Sequence, residues 1–172
     1  MYLRKEFKIL ILLIFFGLLF FFFYYSLYEK KDFEPRVMIG KEFPNLSSKS
    51  LFNDQNINIK KISKNKIFIV NIFASWCVPC KTEHPFLMEL KNRNILIIGI
   101  NYKDTKVNAN KFLEKHNNPY QEVLLDYKGE LSINLGAFGV PETYLVDKDF
   151  KIIDKRIGPI NNEFVEKVLN LK

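Results

Sequence analysis

An uncharged run of 20 residues, 9–28, sets the first limit on what this chain can fold into. A helix of that length spans about 30 Å, the thickness of the hydrocarbon core of a bilayer. The alternative is a cleaved signal peptide, which has a shorter apolar region followed by small residues. This run instead ends in the tyrosine-rich segment 24–28. We therefore expect an uncleaved transmembrane anchor over residues 9–28.

The basic residues at the two ends of this segment predict its orientation. Three lie before it, within residues 1–8, and two follow it, Lys30 and Lys31. Lysine and arginine accumulate on the cytoplasmic side of membrane segments. We expect residues 1–8 in the cytoplasm, a short tether over 29–36, and one domain over 37–172 on the outer side.

Composition narrows the classes open to that domain. The net charge of +7 could indicate nucleic acid as a partner, but the lysines are dispersed among acidic residues and form no block longer than two. We expect a solvated basic surface and no nucleic-acid partner. Two cysteines exclude a disulfide framework and a four-thiolate metal site.

Alternating apolar segments predict an α/β fold with a mixed sheet. Short runs rich in Ile, Val and Phe predict strands, and apolar residues at helical spacing predict helices. The strands are expected at 66–73, 95–100, 122–125, 143–146 and 152–157. The helices are expected at 79–91, 105–116, 130–135 and 161–171. Residues 53–56 are expected to form a hairpin turn.

The sequence Trp76-Cys77-Val78-Pro79-Cys80 lies where the first predicted strand gives way to a helix. At the N-terminus of a helix, unpaired backbone N–H groups and the helix dipole would stabilise a thiolate on Cys77. Cys80 is one helical turn away, close enough to attack a mixed disulfide on Cys77. Pro79 suits a first helical turn. The pattern predicts thiol–disulfide exchange.

Three other interpretations of the cysteines are open. A structural disulfide would close a short loop and stabilise little. A metal site that adds His84 and His116 matches no zinc spacing, so we expect no metal. Two inert core cysteines would leave Pro79 at the junction unexplained. Trp76 could fill a gap in the core, but we expect it to shield one side of the thiol.

Two segments resemble the thioredoxin superfamily. They are residues 71–85, Asn-Ile-Phe-Ala-Ser-Trp-Cys-Val-Pro-Cys-Lys-Thr-Glu-His-Pro, and residues 136–147, Gly-Ala-Phe-Gly-Val-Pro-Glu-Thr-Tyr-Leu-Val-Asp. The Trp-Cys-x-x-Cys element is typical of the superfamily as a whole. The second segment resembles a narrower group, the membrane-anchored thioredoxins of cytochrome c maturation (the CcmG/DsbE group of the TlpA-like branch). The likeness covers residues 37–170.

The resemblance implies a thioredoxin-like fold, with a mixed central sheet flanked by helices and preceded by one transmembrane helix. It makes Cys77 the attacking thiol and Cys80 the resolving thiol. Pro141 would be a cis-proline opposite the cysteines. A cis bond would turn the backbone of Val140 toward them, where it and Trp76 would contact substrate. No cofactor is expected beyond the redox-active disulfide Cys77–Cys80.

The resemblance also singles out two acidic residues. Glu83 and Glu142 match acidic positions near the active site of this group, where they would adjust thiol pKa values and transfer protons. The alternative is a surface acid on a helix and another at a strand edge. Asn71 replaces the buried Asp of ordinary thioredoxins, which favours the two glutamates. His84 is expected to be structural or solvated.

By resemblance, the protein would be a single-pass protein of the inner membrane whose domain faces the periplasm. It would reduce the haem-attachment cysteines of apocytochrome c, or a maturation partner, and a membrane electron donor would restore its dithiol. The alternatives are a TlpA-like reductase for another client such as an oxidase copper site, a copper chaperone, and a non-catalytic holdase for apocytochrome. An oxidant of the DsbA kind is not expected, because no segment the size of its helical insertion is present.

Overall fold

The computed structural model describes residues 2–28 and 38–171, which fall into two compact units. The first unit is the helix α1, Tyr2–Tyr28. Its segment Arg4–Tyr28 is long and apolar enough to cross a membrane. The predicted tether, 29–36, lies outside the described residues.

The second unit begins with a small antiparallel hairpin of β1, Ser47–Lys49, and β2, Asn56–Asn58. Of the turn predicted at 53–56, residues 53–55 lie in the connection between these strands, and Asn56 is the first residue of β2. The chain then alternates helices and strands: α2 Ile59–Ile62, β3 Phe68–Phe73, α3 Val78–Asn92, β4 Leu96–Tyr102, α4 Lys106–His116, β5 Glu122–Asp126, α5 Glu130–Asn134, β6 Glu142–Val146, β7 Ile152–Ile157 and α6 Asn162–Asn170.

The main sheet of the described chain has the strand order β5-β4-β3-β6-β7. Strands β3, β4 and β5 are parallel, whereas β6 is antiparallel to β3 and β7 is antiparallel to β6. The predicted α/β fold with a mixed sheet is therefore confirmed. Each predicted strand and helix is present, with ends within two residues of those expected. The strands β1 and β2 and the short α2 were not predicted as elements.

The central strand β3 is buried on both faces, which explains why all of its residues except Asn71 are apolar. Its side chains alternate between two cores, because successive residues of a strand point to opposite faces. Ile69 and Phe73 pack with α3, α4 and α6 on one face. Phe68 and Val70 pack on the other face, with Phe43 among their neighbours.

Side-chain caps fix where the longer helices begin. Thr105 accepts a hydrogen bond from the backbone N–H of Asn108 at the start of α4. Asn161 accepts one from Phe164 at the start of α6. Each cap satisfies a backbone donor that the first turn of a helix leaves unpaired.

Gly99 in the middle of β4 gives a test of how tightly the sheet packs. A Cβ atom there would lie 3.0 Å from the Phe73 ring and 3.1 Å from both Tyr120 and Val123. All three neighbours are buried, so we expect Gly99→Ala to destabilise the domain by about 1–3 kcal/mol through overpacking. Urea unfolding followed by near-ultraviolet circular dichroism measures this.

Gly139→Ala is the matched control, because a Cβ at that position meets no atom within 4 Å. Its free energy of unfolding should change little. Equal stability of the Gly99→Ala and Gly139→Ala variants would contradict the tight packing of β4 against its neighbours.

Candidate active site

The two cysteines lie at the start of α3, where the chain leaves the central strand. Cys77 is the N-cap residue of α3, and its Sγ accepts a hydrogen bond of 3.1 Å from the backbone N–H of Cys80. The two residues form a disulfide, with their Cα atoms 5.4 Å apart. Pro79 occupies the first turn of the helix, where no N–H partner is lost. The predicted placement of the pair at a strand-to-helix junction is therefore confirmed.

The turn that leads into Cys77 is held by Asp104, which follows β4. Its carboxylate accepts hydrogen bonds from the backbone N–H and the hydroxyl of Ser75, at 2.7 and 3.0 Å. It also accepts bonds from the side chain of Asn101 and the backbone of Thr105. Asp104 was not predicted from the sequence. The signal was available, because the carboxyl ends of adjacent parallel strands meet at one edge of the sheet.

Trp76 lies on the surface beside the disulfide. Its indole Nε1 donates to the carbonyl oxygen of Lys103 at 3.2 Å. The side chain is 57% exposed and does not fill a gap in the core. Val78 is exposed as well, so the residues immediately before and after Cys77 in the sequence both have apolar side chains at the surface.

Residues 136–141, here called the cis-proline loop, lie at the same end of the sheet as the cysteines. The Val140–Pro141 peptide bond is cis. In the register of β3 with β6, Glu142 is opposite Ile72, so the start of β6 adjoins the end of β3. Val140 packs against the core cluster that contains both cysteines. The fold therefore brings together segments 71–85 and 136–147, which are separated by 50 residues of chain.

Glu83 is fully buried in a polar network, one helical turn after Cys80 on α3. One carboxylate oxygen accepts a hydrogen bond of 2.8 Å from the Asn71 side-chain amide, and the other accepts one of 3.2 Å from the backbone N–H of Ile160. The Tyr120 hydroxyl donates to Asn71 at 2.7 Å. Because Glu83 is buried, the interpretation of this residue as a helix-surface acid is wrong.

Burial raises the pKa of Glu83 to about 7, although the bonds from Asn71 and Ile160 oppose the shift. The pKa of Tyr120 is raised well above its usual value by burial and by the neighbouring Glu83. A carboxyl with a pKa close to neutral can both accept and release a proton at physiological pH. Residues 80 and 83 are three apart on one helix, which places Cys80 and Glu83 on the same face.

Glu142 is also fully buried, but its partners differ. One oxygen accepts hydrogen bonds from the backbone N–H groups of Phe138 and Gly139, at 2.6 and 3.1 Å. The other lies 3.0 Å from the Nζ atom of Lys155 and 3.0 Å from the Tyr144 hydroxyl. Glu142 is therefore not an exposed strand-edge acid. Lys155 was missed, because a lysine in a strand usually faces solvent.

His84 lies in the core between α3 and α4. Its Nε2 is 2.5 Å from the carbonyl oxygen of Asn117, and its ring contacts those of Phe112 and His116. Burial lowers the pKa of His84. These contacts fit a structural histidine. Among residues 2–28 and 38–171, no group of three or more His, Cys, Asp or Glu side chains is arranged to hold a metal ion.

Comparison with known proteins agrees with this geometry. The Redoxin family model matches residues 38–170. The thiol:disulfide interchange protein CycY of Rhizobium leguminosarum bv. viciae is 49% identical over 100 residues, which cover 58% of this chain and 54% of CycY, so the match spans about half of that protein. The thiol:disulfide interchange protein DsbE of Pseudomonas fluorescens biotype C is 39% identical over 127 residues, covering 74% of this chain and 71% of DsbE.

Solved structures agree on the fold. The thioredoxin domain of a thiol-disulfide oxidoreductase from Bacteroides vulgatus superposes with a TM-score of 0.68 at 18% identity, covering 77% of this chain and 96% of that one. The domain therefore has the thioredoxin fold, and its thiol:disulfide interchange relatives together with the Cys77–Cys80 pair define it as a thiol:disulfide oxidoreductase. The chain belongs to the redoxin family, among the thiol:disulfide interchange proteins of the DsbE and CycY kind.

The pKa of Glu83 predicts how stability depends on pH. Its value in the folded state, about 7, is above the ordinary 4.5, so the folded protein binds this proton more tightly than the unfolded chain does. Glu83 therefore contributes most to the free energy of unfolding below about pH 4.5. This contribution, roughly 3 kcal/mol in total, is lost as the pH rises through 7. We expect the native oxidised protein to lose stability over this range relative to Glu83→Gln.

The comparison is made by urea unfolding of both proteins across the pH range. Subtracting the two free energies of unfolding at each pH removes the contribution of His84, which both proteins contain. That contribution has the opposite sign, because the pKa of His84 is lowered. Glu114→Gln, an exposed change on α4, is the control and should follow the native protein. A constant difference between native and Glu83→Gln from pH 4.5 to 8 would contradict a raised pKa at Glu83.

Proposed function

We propose that this protein is a periplasm-facing, single-pass protein of the inner membrane that reduces disulfides in client proteins. The proposed client is apocytochrome c, at its haem-attachment cysteines, or a maturation partner that carries electrons to them. The observation that carries the proposal is the Cys77–Cys80 disulfide at the N-terminus of α3, at the sheet end that also bears the cis-proline loop. The resemblance to the cytochrome c maturation group supports the choice of client.

The proposed reaction begins with the reduced pair. The thiolate of Cys77, stabilised at the helix N-terminus, attacks one sulfur of the client disulfide. The client S–S bond breaks, a mixed disulfide forms on Cys77, and one client thiolate leaves. Cys80 then attacks the sulfur of Cys77 and releases the second client thiolate. The client gains two electrons, and the Cys77–Cys80 pair is oxidised.

Glu83 is the proposed proton acceptor for Cys80. A resolving thiol must lose its proton before it attacks, and a base with a pKa near the working pH removes it efficiently. The pKa of Glu83 of about 7 and its place on the same helix face as Cys80 suit this role. A network of neutral groups, Asn71 and Tyr120, surrounds the carboxyl and leaves it free to change its charge.

Membrane attachment supports the proposed supply of electrons. An apolar N-terminal helix would hold the domain in the same bilayer as a membrane electron donor, which raises the effective concentration of each partner for the other. The basic residues before the helix favour a cytoplasmic N-terminus. The redox-active pair is proposed to be sufficient without a further cofactor.

Trapping the mixed disulfide tests the proposed roles of the cysteines and the client together. We expect the full-length Cys80→Ala variant, expressed in cells that make c-type cytochromes, to accumulate a dithiothreitol-sensitive adduct. The adduct forms because Cys77 can still attack but nothing resolves the product. Non-reducing electrophoresis and mass spectrometry should identify a haem-attachment cysteine joined to Cys77.

Cys77→Ala and the double variant are the controls, and neither should give this adduct. Adducts formed only through Cys80 would reverse the roles of the two cysteines. Adducts with proteins that lack haem-attachment cysteines would contradict the proposed client, and function retained without both cysteines would point to a holdase.

A further inference from the structure

A buried ion pair lies beside the cis-proline loop. The side chains of Glu142, at the start of β6, and Lys155, on β7, are 0% and 1% exposed, and their charged atoms are 3.0 Å apart. Two charges are costly to remove from water unless their remaining hydrogen-bonding positions are also satisfied. The partners that satisfy them therefore indicate what the pair does.

Most of those partners belong to the cis-proline loop, residues 136–141. Glu142 accepts hydrogen bonds from the backbone N–H groups of Phe138 and Gly139. Lys155 donates to the backbone carbonyl of Gly136 at 2.7 Å, and its Nζ lies 4.6 Å from the centre of the Phe138 ring. The pair thus accepts hydrogen bonds from two backbone N–H groups and donates one to a backbone carbonyl. All three groups lie within residues 136–139, just before Val140.

The Tyr144 hydroxyl extends the same arrangement. It lies 3.0 Å from the Glu142 oxygen that also pairs with Lys155, and 3.0 Å from the carbonyl oxygen of Leu135, the residue before the loop. Lys155 lies opposite Tyr144 in the β6–β7 register, with Nζ 5.3 Å from its ring centre. Both ends of the loop are therefore tied to the two strands.

We propose that Glu142 and Lys155 act together as positioning residues that fix the backbone of the cis-proline loop for docking of an extended client segment. The inference deepens the proposed function, on which it rests, because it concerns the groove that would receive the client. The pair would set how fast a protein disulfide reacts at Cys77, and would have little influence on a disulfide too small to touch the loop.

The contacts favour this role over proton transfer by Glu142. Two backbone amides and an ammonium group already donate to its carboxylate, with the Tyr144 hydroxyl close by. Both carboxylate oxygens are therefore occupied by groups of the loop and of the two strands, which gives Glu142 the geometry of a residue that holds backbone in place. Glu83 has no such cationic partner in the described residues, which leaves it the better proton acceptor.

The test compares two disulfides with the reduced full-length protein in detergent. One is a peptide with an intramolecular disulfide in the sequence Cys-Ala-Ala-Cys-His, flanked by extended residues. The other is 5,5′-dithiobis(2-nitrobenzoate), which has no peptide backbone to pair with the loop. For Lys155→Met we expect the second-order rate constant with the peptide to fall about tenfold or more, and that with the small disulfide to stay within about twofold.

Two further lysine variants distinguish an effect of loop position on the rate from an effect of losing a positive charge. Lys155→Arg keeps the cation and its donors and should recover most of the rate with the peptide. Lys167→Met removes a lysine whose ion pair, with Asp154 at 2.7 Å, does not involve the loop, and it should react like the native protein with both disulfides.

A double variant keeps the proposal testable if Lys155→Met does not fold with an unpaired buried carboxylate. Glu142→Gln with Lys155→Met removes both charges at similar volume, which buried ion pairs tolerate better than loss of one partner. Its rate constant with the peptide should fall by about the same factor as that of a single variant, because each change disrupts the same unit.

Several outcomes would overturn the inference. One is a rate constant of Lys155→Met with the peptide that equals the native value. Another is an equal loss of rate with the peptide and with the small disulfide. A third is a shift in the pH dependence of Cys77 alkylation in Glu142→Gln. A native protein that reacts with the small disulfide but not with the peptide would overturn the proposed function itself, and the inference with it.

Discussion

The pairing of β3 with β6 determines where the chemistry of this protein takes place. Its register sets Glu142 opposite Ile72 and Thr143 opposite Asn71, so that the cis-proline loop and the cysteine turn meet at one end of the sheet. A slip of one residue would send every side chain of a strand to the opposite face. The link from Asn71 to Thr143, at 2.9 Å, and the placement of Glu142 both depend on this register.

Two buried carboxyl groups near this end of the sheet have different surroundings, and we infer different roles from them. Neutral donors contact Glu83, and its pKa rises to about 7. A lysine and two backbone amides contact Glu142, which joins it to the loop. The same residue type can thus serve as a proton acceptor in one environment and as a positioning residue in another.

Local patterns in the sequence were sufficient to predict most of the fold. The apolar run of β3 and the Pro79 that follows it locate the strand-to-helix junction, because both depend on nearby residues. Tyr120 and Lys155 were not predicted, since only the strand pairing brings each of them to its partner. Asp104 was not predicted either, although its position after β4 gave a signal. From the sequence alone, Lys155 is expected to face solvent, because only the pairing of β6 with β7 shows that it contacts Glu142. The resemblance identified Glu83 and Glu142 but did not separate their roles.

The reduction potential of the Cys77–Cys80 pair tests most directly whether this protein is a reductant. Equilibration of the full-length protein in detergent with glutathione or dithiothreitol buffers of known potential would give the value. Thiol–disulfide proteins range from about −270 mV for thioredoxin to about −120 mV for DsbA. A reductase that depends on a dedicated electron supply should lie well below about −180 mV. A value near −120 mV would make the protein an oxidant and contradict the proposed function.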